Sequence, residues 1–494
     1  MKKILNILIV TILTFSVTSC SDSWLNLYPS TSLTSANAVE NYNDVYNLLI
    51  GAYDGVQGSS GANSYYAAGF IYYGDVRGDD MQARSTGMRT SNSYEMSYSA
   101  ITNLPDIWGK PYNTINRANS VIVAIDEGYA ADGTSADVNN LMGQALTIRA
   151  LAHFDLVRVY GKPYTMTGGP TSFGVPVMNN PPYESIYLPG RNTVEEVYSA
   201  VIADLTKAIP LLKTAKSNGF FNQWAAKALL ARVYLFKGDY DNAYTTAVDI
   251  ITNATAYSLL TAAEYVDSWK TPYGKENLFE IIIQASSDWT DREGLVYLIN
   301  EAGYADYLVT KTFLDLINSS EHNGDVRRNM LSLPTLETFK GEAFWGQPVF
   351  LNKKYPGQVG TDFRLNNIPL FRLSEVYLIA AEAALNKTAS DQTAADTYLN
   401  SIISRRNATR GTVTATMETI LTERRLELVG EGHRFHDMMR LGLTIVRPMT
   451  GGWHIPLIDA SQSFDRNYFR TILAIPQGEM NANPNLEGQQ NPGY

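Results

Sequence analysis

The chain has 494 residues, of which 45% are hydrophobic and 18% are charged, and its formal net charge is -10. This composition allows a large buried core. The length exceeds the usual size of a single-core domain. No run of lysine and arginine occurs, so the basic surface that binds phosphate is missing and nucleic acid is disfavoured as a partner.

The first residues have the pattern of a secretory signal. Lys2 and Lys3 precede an apolar stretch over 4–17, which is shorter than the roughly 20 apolar residues of a membrane-spanning helix. Small residues follow this stretch, as they do before a signal cleavage site. We therefore expect residues 1–19 to be removed from the mature protein.

Cys20 is the only cysteine of the chain, and it follows directly on Val17-Thr18-Ser19. This arrangement is typical of a bacterial lipobox, in which the cysteine is acylated and becomes the new N-terminus. Acyl chains anchor a protein to a bilayer without threading it through. We expect a lipid-anchored protein with a polar spacer over 20–37 and no later membrane span.

Apolar residues recur at helical spacing over 38–56, 108–126 and 137–160, which predicts three helices. Between the first two, residues 57–105 are rich in Gly, Ser, Asn and Asp and contain many tyrosines. This composition predicts a loop. A long loop on a helical scaffold is a usual place for ligand contacts.

Six prolines over 161–192 predict an extended connection. Thr193 and Glu196 then have the spacing of a capping box, which predicts a helix that begins at this point.

Two Ala-rich segments, 222–254 and 371–406, each have the pattern of a helix pair. In the first, Gly238 separates the two helices, and small residues lie where the helices would cross, as in a tetratricopeptide repeat. Between the pairs, 278–284 is typical of a short strand. The following 285–350 combine aromatic residues with Gly and Asn, which predicts a second aromatic loop region.

These features predict a mainly α fold, an irregular α-α superhelix of tetratricopeptide-like pairs with long loops and a few short strands. We expect an N-terminal helical region over 38–220 and a C-terminal region over 221–494, packed together as one unit.

The segment LTERRLELVGEGHRFHDMMRLG over 421–442 resembles the signature of the SusD/RagB family. The tail IPQGEMNANPNLEGQQNPGY over 475–494, the segment WGKPYNTINRANSVI over 108–122 and the lipobox are similar to that family as well. The resemblance implies an outer-membrane lipoprotein that faces outward in Bacteroidetes-type bacteria. It also implies four tetratricopeptide-like pairs supporting variable loops, and capture of glycans, or in some cases peptides, for a SusC-like TonB-dependent transporter. No cofactor is implied.

Charges of both signs alternate in the signature segment, several of them at i,i+3 or i,i+4 spacing. The acidic members are Glu423, Glu427, Glu431 and Asp437, and the basic members are Arg424, Arg425, Arg434 and Arg440. Apolar residues are interleaved with them, so we expect a partly buried ion network in which arginine bridges carboxylates.

His433 and His436 offer an alternative, because a helix could turn both imidazoles towards one metal ion. Their spacing differs from the His-Glu-x-x-His pattern, so we favour the ion network. The segment 75–80 is acidic enough to suggest calcium, but it lacks the ligand spacing of a known calcium loop. With no Gly-x-Ser-x-Gly elbow and no free cysteine, we expect a non-catalytic protein without cofactor or metal.

Aromatic faces and a few directed hydrogen bonds suit an open site for a sugar or peptide. From the two loop regions we predict these ligand-binding residues: Trp289, Tyr297, Tyr304, Tyr73, Arg77, Asp79 and Asp80. Two other functions stay open, namely a surface-anchored helical-repeat scaffold that binds another protein and a metal-dependent surface hydrolase at His433 and His436.

Overall fold

Helices are the main regular structure of the residues that the structure describes. The computed structural model describes residues 39–58, 65–102, 106–179, 187–283, 294–334, 338–339, 342–343, 346–358 and 360–494. In these ranges, no helix combines the length and the apolar character needed to cross a bilayer. The predicted signal, the spacer and Cys20 lie outside the described residues.

The elements before residue 210 are α1 (Tyr42–Gln57), α2 (Phe70–Val76), β1 (Met81–Ala83), α3 (Ser91–Glu95), α4 (Gly109–Asp126), α5 (Ser135–Tyr160) and α6 (Val194–Ala208). The local sequence explains several helix starts. Asn41 accepts hydrogen bonds from the N–H groups of Asn43 and Asp44 at the start of α1. The capping box predicted from Thr193 and Glu196 is present at the start of α6.

The middle of the chain contains α7 (Gln223–Lys237), α8 (Tyr240–Asn253), α9 (Ala262–Ser268), β2 (Asn277–Ile281), α10 (Leu295–Ile299), β3 (Tyr307–Val309) and α11 (Lys311–Ile317). Gly238 ends α7 at a φ of 76°, a left-handed conformation that favours glycine. Asp239 then caps α8 by accepting from the N–H of Asn242.

The last part contains β4 (Thr338–Phe339), β5 (Glu342–Ala343), β6 (Ile368–Arg372), α12 (Leu373–Asn386), α13 (Gln392–Arg406), α14 (Met417–Leu428), α15 (Arg434–Leu441), β7 (Ile445–Val446), α16 (Asp459–Gln462), β8 (Ser463–Phe464) and α17 (Gln477–Ala482). The strands form antiparallel pairs: β1 with β3, β2 with β6, β4 with β5, and β7 with β8. Short 3-10 turns occur at Ile209–Leu211, Ser320–His322, Val326–Met330, Phe469–Thr471 and Pro484–Leu486.

The long helices pack side by side in a continuous series. Helix α4 contacts both α1 and α5, α5 contacts α6, α7 contacts α8, and α12 contacts both α8 and α13. Buried alanines allow α7, α8 and α12 to approach one another closely. They include Ala231 on α7, Ala247 on α8 and Ala380 on α12. The prediction of a mainly helical fold with tetratricopeptide-like pairs is confirmed.

The prediction of loop over 57–105 is wrong for residues 65–76, and also for β1 and α3, which form within the same segment. A π-helical turn at Tyr65–Gly69 leads directly into α2, and the residues of both are buried. The glycines of this region serve a close contact. A Cβ at Gly74 would lie 2.1 Å from the carbonyl oxygen of Gly432, so α2 and the signature segment touch through their backbones.

The signature segment organises a buried ion network, as its charge pattern predicts. Arg372 donates to Glu427 at 2.8 Å and to Glu431 at 2.7 Å and 2.8 Å. Arg406 donates to Glu427 at 2.9 Å and to Glu276 at 2.8 Å. All five side chains are at least nine-tenths buried, and burial alone would raise the pKa of Glu427. The surrounding arginines outweigh burial and hold that pKa well below its usual value.

A second group of ion pairs links α14 to α15 within the signature segment and links α15 to α12. Asp437 accepts from Arg424 and from Arg440, each at 2.9 Å. Arg440 also donates to Glu382 at 2.7 Å. Asp437 is therefore bridged by two guanidinium groups, which is the forked geometry that arginine provides.

A third group ties the signature segment to the residues after α2. Arg434 donates to Asp79 at 2.6 Å and 3.0 Å, and Arg425 donates to Asp80 at 3.1 Å. Burial raises the pKa of Asp79, but the charges of Arg434 and Arg425 outweigh it and hold the pKa at about 2. Asp75 lacks such a partner, and burial keeps its pKa well above the usual range.

We expect Arg406→Met to lower the free energy of unfolding by about 3–5 kcal/mol, because it leaves Glu427 and Glu276 buried with one partner fewer. Denaturant unfolding of the mature protein measures this change. The control is Lys213→Met, which removes an exposed pair with Asp137 and should change the free energy of unfolding far less, because exposed ion pairs contribute little. Equal effects of the two substitutions would contradict a buried network.

The Asp79 ion pair also predicts a dependence on pH. Folding lowers the pKa of the Asp79 carboxyl. The contribution of the ion pair to stability is therefore complete above the unfolded pKa near 4 and is lost as the pH falls towards about 2. The shift corresponds to about 2 kcal/mol. We expect the stability advantage of the wild type over Asp79→Asn, measured by denaturant unfolding, to shrink by about this amount across that range. A difference that stays constant with pH would show that Asp79 is not held ionised.

Candidate ligand-binding site

The pairing of β1 with β3 brings the two predicted loop regions together. Met81 lies opposite Val309, and Ala83 lies opposite Tyr307. Beyond this pair, the backbone N–H of Arg84 donates to the carbonyl of Asp306 at 2.9 Å. Residues 84–90 therefore lie beside residues 297–306, although more than 200 residues separate them along the chain.

A tight turn after α10 brings Tyr304 next to Tyr297, which lies within α10. The N–H of Tyr304 donates to the carbonyl of Tyr297 at 2.6 Å and closes the turn. A Cβ on Gly303 would lie 2.2 Å from that carbonyl oxygen, so only glycine fits at this position. The rings of Tyr297 and Tyr304 meet edge to face, with their centroids 4.7 Å apart.

A third ring completes this group. Phe363 stacks on Tyr297 with a centroid distance of 5.7 Å and an interplanar angle of 25°. All three rings are partly exposed. We call Tyr297, Tyr304 and Phe363 the aromatic cluster.

Charged groups surround the aromatic cluster. The guanidinium of Arg89 lies 3.9 Å from the centroid of the Tyr304 ring and 3.3 Å from the carboxylate of Asp306. On the other side, Arg364 donates to the carboxylate of Asp362 at 2.6 Å and 2.9 Å, and both side chains reach solvent. The arrangement provides apolar faces next to groups that can donate and accept hydrogen bonds.

The structure places the early predicted residues differently from Tyr297 and Tyr304. Tyr73 and Arg77 are fully buried, with exposed fractions of 1% and 0%. Arg77 contacts Tyr73, lies 3.9 Å from the centroid of the Phe435 ring and donates to Tyr98 at 2.6 Å. These two side chains present no surface to a ligand, because they pack against the signature segment.

Asp79 and Asp80 are likewise engaged by Arg434 and Arg425, so their oxygens serve the fold. We therefore leave the four early residues out of the proposed site. Trp289, the remaining predicted residue, lies outside the described residues.

The two histidines of the signature segment are packing residues in this structure. His436 stacks on Phe70 at a centroid distance of 5.8 Å, and Nδ1 of His433 lies 3.8 Å from a carboxylate oxygen of Glu375. Burial, together with nearby arginines, holds the pKa of both imidazoles well below the usual value. Across the described ranges, no cluster of three His, Cys, Asp or Glu side chains has a geometry that could hold a metal ion.

Phe363, Arg89 and Arg364 were not predicted from the sequence as members of this site. Arg89 lies in the region that was predicted to bind ligand, but composition alone does not single it out. Phe363 and Arg364 come more than ten residues after the second aromatic loop region, in the segment Gly360-Thr361-Asp362-Phe363-Arg364. An aromatic residue between two charges of opposite sign, close to a glycine, is the one local signal that could have indicated them.

Two family models match the chain. Residues 23–235 match a family described as starch-binding and associating with the outer membrane, and residues 341–494 match the SusD family. A SusD-like protein of Bacteroides ovatus is 24% identical over 368 residues. That alignment covers 68% of this chain and 65% of the relative.

Solved structures resemble this one over almost the whole chain. A SusD superfamily protein from Bacteroides thetaiotaomicron is 37% identical, with a TM-score of 0.83, over 92% of this chain and 100% of the other. A protein from Bacteroides vulgatus, described as a putative sugar binding protein, is 36% identical, with a TM-score of 0.81, over 93% and 100%. With this identity over the full length of both solved chains, the resemblance seen in the sequence is confirmed, and the protein belongs to the SusD family.

Proposed function

We propose that this protein captures an oligosaccharide at the cell surface and hands it to a partner TonB-dependent transporter of the outer membrane. The observation that carries the proposal is the aromatic cluster with its charged neighbours. Binding at this cluster requires no reacting group, which agrees with membership of a family of binding proteins. The protein acts here by binding and release, without making or breaking a bond.

The physical basis is the two-sided character of a sugar ring. Its C–H faces pack on aromatic rings, while its hydroxyl groups need donors and acceptors at the edge. Tyr297, Tyr304 and Phe363 supply the rings, and tyrosine gives a wide contact at low entropic cost. The exposed pair of Arg364 and Asp362 supplies donors and acceptors within the same surface.

The comparisons support a glycan as the ligand. One matching family is described as starch-binding, and the similar Bacteroides vulgatus protein is described as a putative sugar binding protein. A peptide remains the second ligand class, because an extended peptide can also pack side chains on aromatic rings. A scaffold function is the alternative suggested by the helix pairs, and direct binding of a glycan would exclude it as the main function.

The lipobox supports the proposed location. Acylation of Cys20 would tether the mature chain to the outer membrane, with which the matching family associates. Delivery to a transporter follows from the resemblance to outer-membrane lipoproteins that cap such a transporter. A gene for a TonB-dependent barrel next to the gene for this protein would support the delivery step.

We expect Tyr304→Ala to weaken glycan binding about tenfold, equivalent to about 1.4 kcal/mol, because it removes one face of the aromatic cluster. Calorimetry with a panel of oligosaccharides measures the affinity. Tyr129→Ala is the matched control, because Tyr129 is exposed in the turn between α4 and α5, away from the cluster. An affinity that is unchanged in Tyr304→Ala would remove the cluster as the binding site.

Trp289→Ala, titrated with the same panel, tests the remaining predicted residue. We expect a similar loss of affinity, since tryptophan offers the widest aromatic face. If Trp289→Ala binds like the wild type while Tyr304→Ala does not, the site consists of the cluster without Trp289.

We expect Cys20→Ser to move the protein from the membrane fraction to the soluble fraction, because serine lacks the thiol that is acylated. Fractionation of cells with detection by antibody measures the distribution. Mass spectrometry of the wild type should show attached fatty acid at Cys20. Membrane retention of Cys20→Ser would contradict a lipid anchor at this residue.

A further inference from the structure

An open pocket lies apart from the aromatic cluster, with none of the cluster's residues in its lining. Its volume is about 420 Å³, within the ~300–1,000 Å³ of small-molecule sites. It forms where the start of α4, the connection that precedes α6 and helix α17 meet, and none of these elements contributes to the aromatic cluster. We call it the α4 pocket.

Aromatic rings form one wall of the α4 pocket and are held in place. The rings of Trp108 and Tyr112 lie 4.9 Å apart at 56°. The hydroxyl of Tyr112 donates to the carbonyl of Pro176 at 2.9 Å, and Trp108 meets Tyr160 edge to face. Tyr187 lies at the rim with 47% of its surface exposed, so its ring is open to a ligand that enters the pocket.

Polar groups line the same pocket without serving the fold. The exposed side chains of Asn113, Asn116 and Glu479 form no hydrogen bond with any residue of the described chain. An amide both donates and accepts, and a carboxylate accepts. Among the described lining residues Glu479 is the only charged one, so none of them offers a cation to a phosphate or carboxylate.

We infer that the α4 pocket binds a neutral sugar unit of an oligosaccharide, as a contact point in addition to the aromatic cluster. This inference rests on the proposed function, since it assumes that the ligand is a glycan. Ordered aromatic rings, amides that are unpaired within the described chain, and the absence of a cation among the described lining residues favour a neutral, hydroxyl-rich ring over an anionic one. Two weak contacts on one chain would raise the affinity for long oligosaccharides over short ones, because the second contact becomes intramolecular.

The test uses the wild type and four variants of the mature protein: Tyr187→Ala, Asn113→Ala, Tyr304→Ala, and Tyr187→Ala combined with Tyr304→Ala. Both pocket positions are exposed, so these substitutions leave the core intact. The probes are neutral oligosaccharides built from glucose, galactose, mannose or xylose, together with a phosphorylated sugar. Saturation-transfer NMR detects binding, and calorimetry measures affinity and stoichiometry.

We expect Tyr304→Ala to retain weak binding, and the combined variant to lose it. Tyr187→Ala and Asn113→Ala should each lower the affinity about tenfold. The inference is overturned if both pocket variants bind every probe like the wild type, if the phosphorylated sugar binds better than neutral ones, or if the wild type binds no probe. Loss of binding in the pocket variants with no effect of Tyr304→Ala would instead overturn the aromatic cluster and keep the pocket.

Discussion

A buried ion network around Glu427 is the constraint on which the rest of the structure depends. Arg372 comes from the end of β6, Arg406 from the end of α13 and Glu276 from the residue before β2, and each of the two arginines bridges carboxylates of different elements. An isolated buried charge would be very costly, so these elements can pack only in the arrangement that pairs every charge. The signature segment thus fixes the direction and register in which these elements pack. An apolar core of alanine and leucine fixes them less strictly.

The same segment decides where a ligand can bind. Its arginines hold Asp79 and Asp80, and this anchors β1 directly after them. Strand β1 then aligns β3, whose preceding turn carries Tyr304 and closes on Tyr297 of α10. A rigid base therefore supports the loops, which is the usual division of roles between scaffold and binding surface. The charges that look most like ligand contacts in the sequence position the aromatic rings instead.

Local rules predicted the helices well because their signals are local. Capping residues, the glycine after α7 and the alternating charges of α14 and α15 need no knowledge of distant partners. Tyr73 and Arg77 show the limit of predictions from such local signals. Their burial depends on Tyr98, Phe435 and the carbonyl of Arg470, which are distant in sequence. Likewise, α2 forms in a segment of weak helical character because tertiary packing outweighs propensity. The membership of Phe363 in the aromatic cluster rests on a contact that no spacing reveals.

The backbone contact between Gly74 and Gly432 has a consequence for how the chain reaches its final form. Helix α2 cannot be covered until the signature segment is present, and 358 positions separate these two glycines. The long chain segment between the two glycines must therefore close late, which slows folding of the complete chain. A nascent chain that ends before the signature segment would lack the backbone against which Gly74 packs.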